Sequence, residues 1–276
     1  MSLPATPMLV ACLDTSTLSL SCALCEIAAG AARLIAERTE RAPPKPVMSG
    51  GRRAPRVEEP GPRGPTGGHG GRLPGVLQDL LATAGLELSA VEGYAVGLGP
   101  GSFTGLRIGL ATWKGLAYAG RRPLAGCSSL AAMALAVAPA AGGALLVPLL
   151  DAKKGEVYAG FYRGEGASVR SVAPDAALAP AALQARLVDW QGSGEMPLVF
   201  GEGVDVLGEV RAAMSVLPTE VRTPPALAVG ALCAGGIGGA AYDAAHLFAL
   251  EPRYVRPSEA ELKFPHGQGP GAGMAG

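Results

Sequence analysis

Apolar and polar positions along the chain fall into a repeated plan of strand, turn and helix. Residues 8–14, MLVACLD, form an apolar run closed by Asp14. A small-polar turn follows, and the pattern through Glu26 reads as a second strand, so 8–26 predicts a β-hairpin. Residues 144–162, ALLVPLLDAKKGEVYAGFY, repeat the plan with an apolar strand ending at Asp151, a short polar turn and an alternating strand. Two hairpins of one design, each opening a half of the chain, predict a duplicated α/β fold of two similar lobes, 1–125 and 126–266.

The densest signal lies at 97–119, GLGPGSFTGLRIGLATWKGLAYA. An apolar strand at 91–96 runs into a glycine-rich turn, and helical spacing begins after Ser102. Gly99, Gly101 and Gly105 supply unusual backbone dihedrals, while Ser102 and Thr104 are placed to cap exposed amides. Within the helix 105–119, Gly105, Gly109, Thr112 and Ala119 fall on one stripe. Leu106, Leu110, Trp113 and Ala117 form a second stripe about 100° round, and Arg107, Lys114 and Tyr118 are left for water. One apolar stripe belongs against the lobe's own sheet; the other belongs either inside the same lobe or against a second subunit.

Before that strand, Leu73, Val76, Leu77, Leu80 and Leu81 recur at helical spacing and predict a helix over 73–84 with one continuous apolar stripe. Between the first hairpin and this helix, residues 41–72 hold seven prolines, eight glycines and seven Lys/Arg residues without an apolar period. That composition predicts a flexible basic excursion, either a solvated loop or an electrostatic contact with RNA phosphate through Arg52, Arg53, Arg56 and Arg63. Residues 123–150 carry no charge, but Pro139, Gly142, Gly143 and Pro148 interrupt them, so a buried helix and a buried strand are expected there and not a membrane span. A helix near 180–190, a strand at 197–201 and a small-residue helix around 226–242 continue the alternation. The glycines at 235, 236, 238 and 239 read as tight helix packing, and residues 267–276 as a Gly-rich tail.

Composition narrows the chemistry. Lys+Arg and Asp+Glu are 23 each, so no global charge points to nucleic acid or membrane. Five cysteines without framework spacing predict a reduced, cytoplasmic protein, and the C-x-x-C at Cys22 and Cys25 lies in a strand, where its two members face opposite ways. His69, His246 and His266 form no metal-binding pair. The turn GPGSFTG lacks the lysine ending of a Walker loop and the spacing of a dinucleotide fingerprint, and no G-x-S-x-G elbow is present. Asp14 and Asp151 each end a strand at an interlobe cleft, as vestigial cleft carboxylates or as caps of their own turns.

LDTST at 13–17, the stretch at 97–119, LDAKKGEVYAGFY at 150–162 and LEPRYVRPSEAE at 250–261 together resemble the TsaB (YeaZ) family. The resemblance implies an actin-like (ASKHA, duplicated RNase H-like) two-lobe fold and a non-catalytic subunit in synthesis of tRNA N6-threonylcarbamoyladenosine. It implies partners of the TsaD transferase and TsaE ATPase families, a homodimer when alone, tRNA reached through the complex, and no membrane. No catalytic residue, metal or cofactor of its own is implied, with a nucleotide only at the partner interface. The transferase's H-x-x-x-H metal pair falls here on Ser129 and Met133. The partner interface expected is Leu73, Val76, Leu77, Leu80, Leu106, Leu110, Trp113 and Ala117, with Gly99, Gly101, Ser102, Thr104 and Gly105 as a structural loop. A metallopeptidase-like or ATP-dependent actin-fold enzyme is the alternative.

Overall fold

A computed structural model describes residues 7–41 and 69–256. The insertion from 42, with Arg52, Arg53, Arg56 and Arg63, and the tail 267–276 lie outside the described residues.

Two five-stranded sheets share one topology. In the first, β1 (Met8–Asp14) pairs antiparallel with β2 (Ser19–Ala28), which pairs antiparallel with β3 (Ala31–Arg41). On the other side β1 runs parallel to β4 (Gly93–Gly97), and β4 parallel to β5 (Leu124–Cys127). The second sheet repeats this order with β6 (Leu146–Lys153), β7 (Glu156–Glu165) and β8 (Ser168–Leu178) antiparallel, then β9 (Leu198–Phe200) and β10 (Ser215–Val216) parallel. Each sheet therefore runs third strand, second, first, fourth, fifth, and the duplication read from two hairpins extends to all ten strands.

Both faces of β1 are covered, which explains its unbroken apolar run. Leu9, Ala11 and Leu13 join a core with α1 (His69–Thr83) and α2 (Phe103–Gly120), while Val10 and Cys12 face α5 (Ala226–Ile237). Cys22 and Cys25 divide between these two cores. In the second lobe, α3 (Ser129–Val137) covers one face of the sheet and α4 (Pro180–Gly192) the other.

One boundary needs correction. The sequence assigns everything from 126 to 266 to the second lobe, yet α5 lies across the first sheet, touching β1 to β5. This helix is apolar all round, so it is buried between layers, and α3 packs against it as well as against β6, β7 and β8. The helix also stops at Ile237, short of 242, because Gly238 and Gly239 end it. A short helix, α6 (Ala244–Ala249), then packs on α2.

Candidate functional site

Two surfaces merit attention, a cleft between the lobes and the outer face of α1 and α2. The cleft is assembled where β1 ends. Asp14 turns back under the following residues, and its carboxylate accepts from the Ser16 amide at 2.8 Å, the Ser16 hydroxyl at 2.5 Å and the Ser129 hydroxyl at 2.6 Å. Burial pushes its carboxyl above the usual range, against the opposing pull of those three donors. The group is sealed behind the cleft wall and does not line the cavity, so of the two expected cleft carboxylates only Asp151 does. Asp151 accepts from the backbone and ammonium of its own neighbour Lys153 at 2.7 and 2.6 Å.

The loop before α2 is built for close approach. Gly99 holds a left-handed φ of 98°, and its amide donates to the Ser129 hydroxyl at 3.1 Å. At Gly101 a Cβ would run into the Ser16 carbonyl, which instead accepts from the Ser102 amide at 2.6 Å. Ser102 caps the helix, accepting from the Gly105 amide at 3.2 Å, and the Gly105 carbonyl accepts from Thr15 at 2.9 Å. Thr104 sits in the first turn and faces the cleft.

A second polar group escapes the sequence pattern. Ser128 caps α3 and donates to Asp175 at 2.8 Å, and Tyr162 donates to the same carboxylate at 2.5 Å. With Ser129 bound to Asp14, the first two hydroxyls of this helix reach one carboxylate in each lobe. The positions matching a metal pair thus hold a hydroxyl engaged by Asp14 and, at Met133, a buried side chain. Neither Ser128 nor Asp175 is among the residues that the sequence singles out, and the partner at 175 is too far away in sequence to signal itself.

The cavity between the lobes measures about 680 Å³. Arg107, Lys153, Lys154, Arg253 and Arg256 line it against Asp151 and Glu202, and Phe103 and Tyr254 project from its wall.

The expected interface residues require correction. Leu73, Val76, Leu77, Leu80, Leu106, Leu110, Trp113 and Ala117 are all at most 5% exposed within a single chain. Trp113 is fully enclosed, donates to the Ala11 carbonyl at 3.0 Å and meets Tyr94 edge-on. Helix α2 has neighbours on three sides, the sheet beneath, α1 on one flank and α6 with the chain after it on the other. The Leu106–Ala117 stripe, with Gly105 and Gly109 of the other, is consumed inside the lobe for that reason, while Thr112 is half-buried and Ala119 exposed, and the free surface is a third face.

That face is small and uncharged. On α1 it presents Gly71, Pro74, Gly75, Gln78 and Ala82; on α2, Ala111 and Gly115, with half-buried Ile108 adjoining Gly70. The charged side chains described on these helices point elsewhere. Arg72 is buried, Asp79 pairs with Arg38 at 2.8 Å, Arg107 donates to the Tyr254 hydroxyl at 3.0 Å, and Lys114 donates to the Phe248 carbonyl at 3.0 Å.

These features define a two-lobed, actin-like α/β protein. A family model described as "TsaD: tRNA N6-adenosine threonylcarbamoyltransferase" matches residues 62–217. The chain belongs to this family, within its TsaB/YeaZ group. It is 35% identical over 125 residues to the "tRNA threonylcarbamoyladenosine biosynthesis protein TsaB" of Escherichia coli, covering 45% of this chain and 54% of that protein. The match to the Bacillus subtilis protein of the same name is 28% identical over 204 residues, 71% of this chain and 83% of the relative. "YeaZ from Pseudomonas aeruginosa" superposes with a TM-score of 0.62 at 27% identity, covering 90% of this chain and 99% of that one. The chain spans about half the length of the first of these relatives. Among the described residues no helix is long and apolar enough to cross a membrane.

Proposed function

We propose that this chain is a non-catalytic subunit in tRNA N6-threonylcarbamoyladenosine synthesis, docking a TsaD-type transferase through the outer face of α1 and α2. The relatives' names supply the pathway; Gly75 and Gly115 carry the docking. Each sits inside a helix, where glycine costs about 1 kcal/mol relative to alanine. At both positions an added Cβ would meet nothing within 4 Å, and neither has a left-handed φ, so the fold itself gives no reason for them. Close approach of another helix pair does.

The partner is a transferase that resembles this chain in fold, and two such lobes joined through their α1 and α2 helices would form a four-helix bundle. An interface of that kind buries on the order of 1,600 Å² in total. Without the transferase the same face pairs two copies, and a TsaE-type ATPase joins the assembled complex. Binding raises transferase activity through greater affinity for its active arrangement. Asp14 fits a subunit without its own chemistry, since it is sealed behind the cleft wall and held by three protein donors.

Gly115→Arg tests the docking. An arginine there points into open space, so the isolated chain stays folded, and co-purification with the transferase is lost. An intact complex with this variant would refute the docking surface.

A further inference from the structure

The interlobe cavity gathers cations that the proposed docking does not use. Five basic side chains line the interlobe cavity against Asp151 and Glu202, with Lys153 paired to Asp151 at 2.6 Å and Arg256 to Glu156 at 3.0 Å, and they leave the cavity positive in a chain with no net charge. They come from three separate elements: Arg107 from α2, Lys153 and Lys154 from the β6–β7 turn, and Arg253 and Arg256 from the segment after α6.

Two observations indicate what this lining is for. The first is backbone strain. Lys153 and Lys154 hold φ of 66° and 55°, a left-handed conformation that asparagine or glycine adopts at lower cost. Two lysines there are a poor choice for the turn alone, and strain of this sort gathers at functional sites. The second is an aromatic platform on the opposite wall. Phe103 and Tyr254, 38% and 45% exposed, lie 5.0 Å apart between ring centres, and the Arg107 guanidinium sits 3.8 Å above the Phe103 ring. Planar side chains of this kind offer a stacking surface to nucleobases, while flanking cations meet phosphates.

The geometry points to the interlobe cleft as a binding site for single-stranded RNA, with Phe103 and Tyr254 taking bases and Lys153, Lys154 and Arg256 taking the sugar-phosphate strand. That the strand belongs to tRNA rests on the function proposed above; that the cleft takes RNA does not.

Fluorescence anisotropy on the full chain, with a labelled single-stranded RNA of about 12 nucleotides, within the range such grooves occupy, tests this. Lys153→Asn/Lys154→Asn suits the turn and removes two charges. It should keep or raise the thermal midpoint while weakening RNA binding at least about tenfold and flattening the log–log salt slope by about 1.4. Phe103→Ala should weaken binding roughly tenfold with the slope unchanged. RNA affinity and slope unaffected by both changes would overturn the proposal. So would displacement of the RNA by magnesium-free ATP as effective as by unlabelled strand at equal phosphate, which would make the cleft a small-anion pocket. Co-purification of the lysine variant with the transferase should persist, so failure of RNA binding leaves the docking surface standing, and loss of docking by Gly115→Arg leaves RNA binding intact.

Discussion

Gly115 and Asp14 illustrate how single residues here work against the stability of the isolated chain. Replacing Gly115 by alanine should stabilise it by up to about 1 kcal/mol, because helix propensity improves and the new methyl meets no atom. Chemical denaturation of the two proteins checks this. Asp14 is unfavourable in another way, since burial raises its carboxyl above the range it has when unfolded. In the pH window from the ordinary carboxylate value upward, the folded state therefore holds a proton that the unfolded state has released, and stability falls as pH rises through that window. Asp175 and Glu202 shift in the same direction, both chiefly through burial, and add to the slope. Asp14→Asn keeps an acceptor for the Ser16 amide and has no proton to lose, so its stability should decline less between about pH 4 and neutrality. Parallel denaturation curves across that range give the comparison; identical slopes would mean that Asp14 carries no such cost.

Among the elements, what could be read from sequence and what could not divide along physical lines. Strands β1, β2, β6 and β7 were legible because they are covered by packing or alternate cleanly, and the glycine turn before α2 announced that helix. Strands β3 and β8 were not, because each is a sheet edge. The first is mostly exposed and charged, and the second contains Pro174, a residue that edge strands tolerate. The leucine stripe of α1 and the Leu106–Ala117 stripe of α2 gave the helices correctly but not their surroundings. Periodicity marks an apolar face without saying whether the same chain or another covers it. Substituting Trp113 consequently tests the core and not a contact, and Trp113→Ala should cost about 3–5 kcal/mol of stability. A much smaller loss in thermal or denaturant unfolding would place that ring outside the core. The glycines on the outer face carried the better signal, since they sit in helices that have no internal need of them.

At the scale of the whole molecule, residues distant in the chain meet at both surfaces. Lys153 and Lys154 lie about a hundred positions before Arg253 and Arg256, and only the closure of two duplicated lobes brings them to one cavity. No local pattern could have joined them. The same duplication leaves one lobe with a helical face that its own core does not need. In the proposed account that face meets the transferase while the cleft meets RNA, so the two functions are separable by mutation. The most direct test is calorimetric titration of the transferase into the wild-type chain and into Gly75→Leu/Gly115→Leu, with thermal unfolding of each. The account predicts that the variant is at least as stable as the wild type and binds at least about a hundredfold more weakly, whereas equal affinity in a folded variant would contradict it.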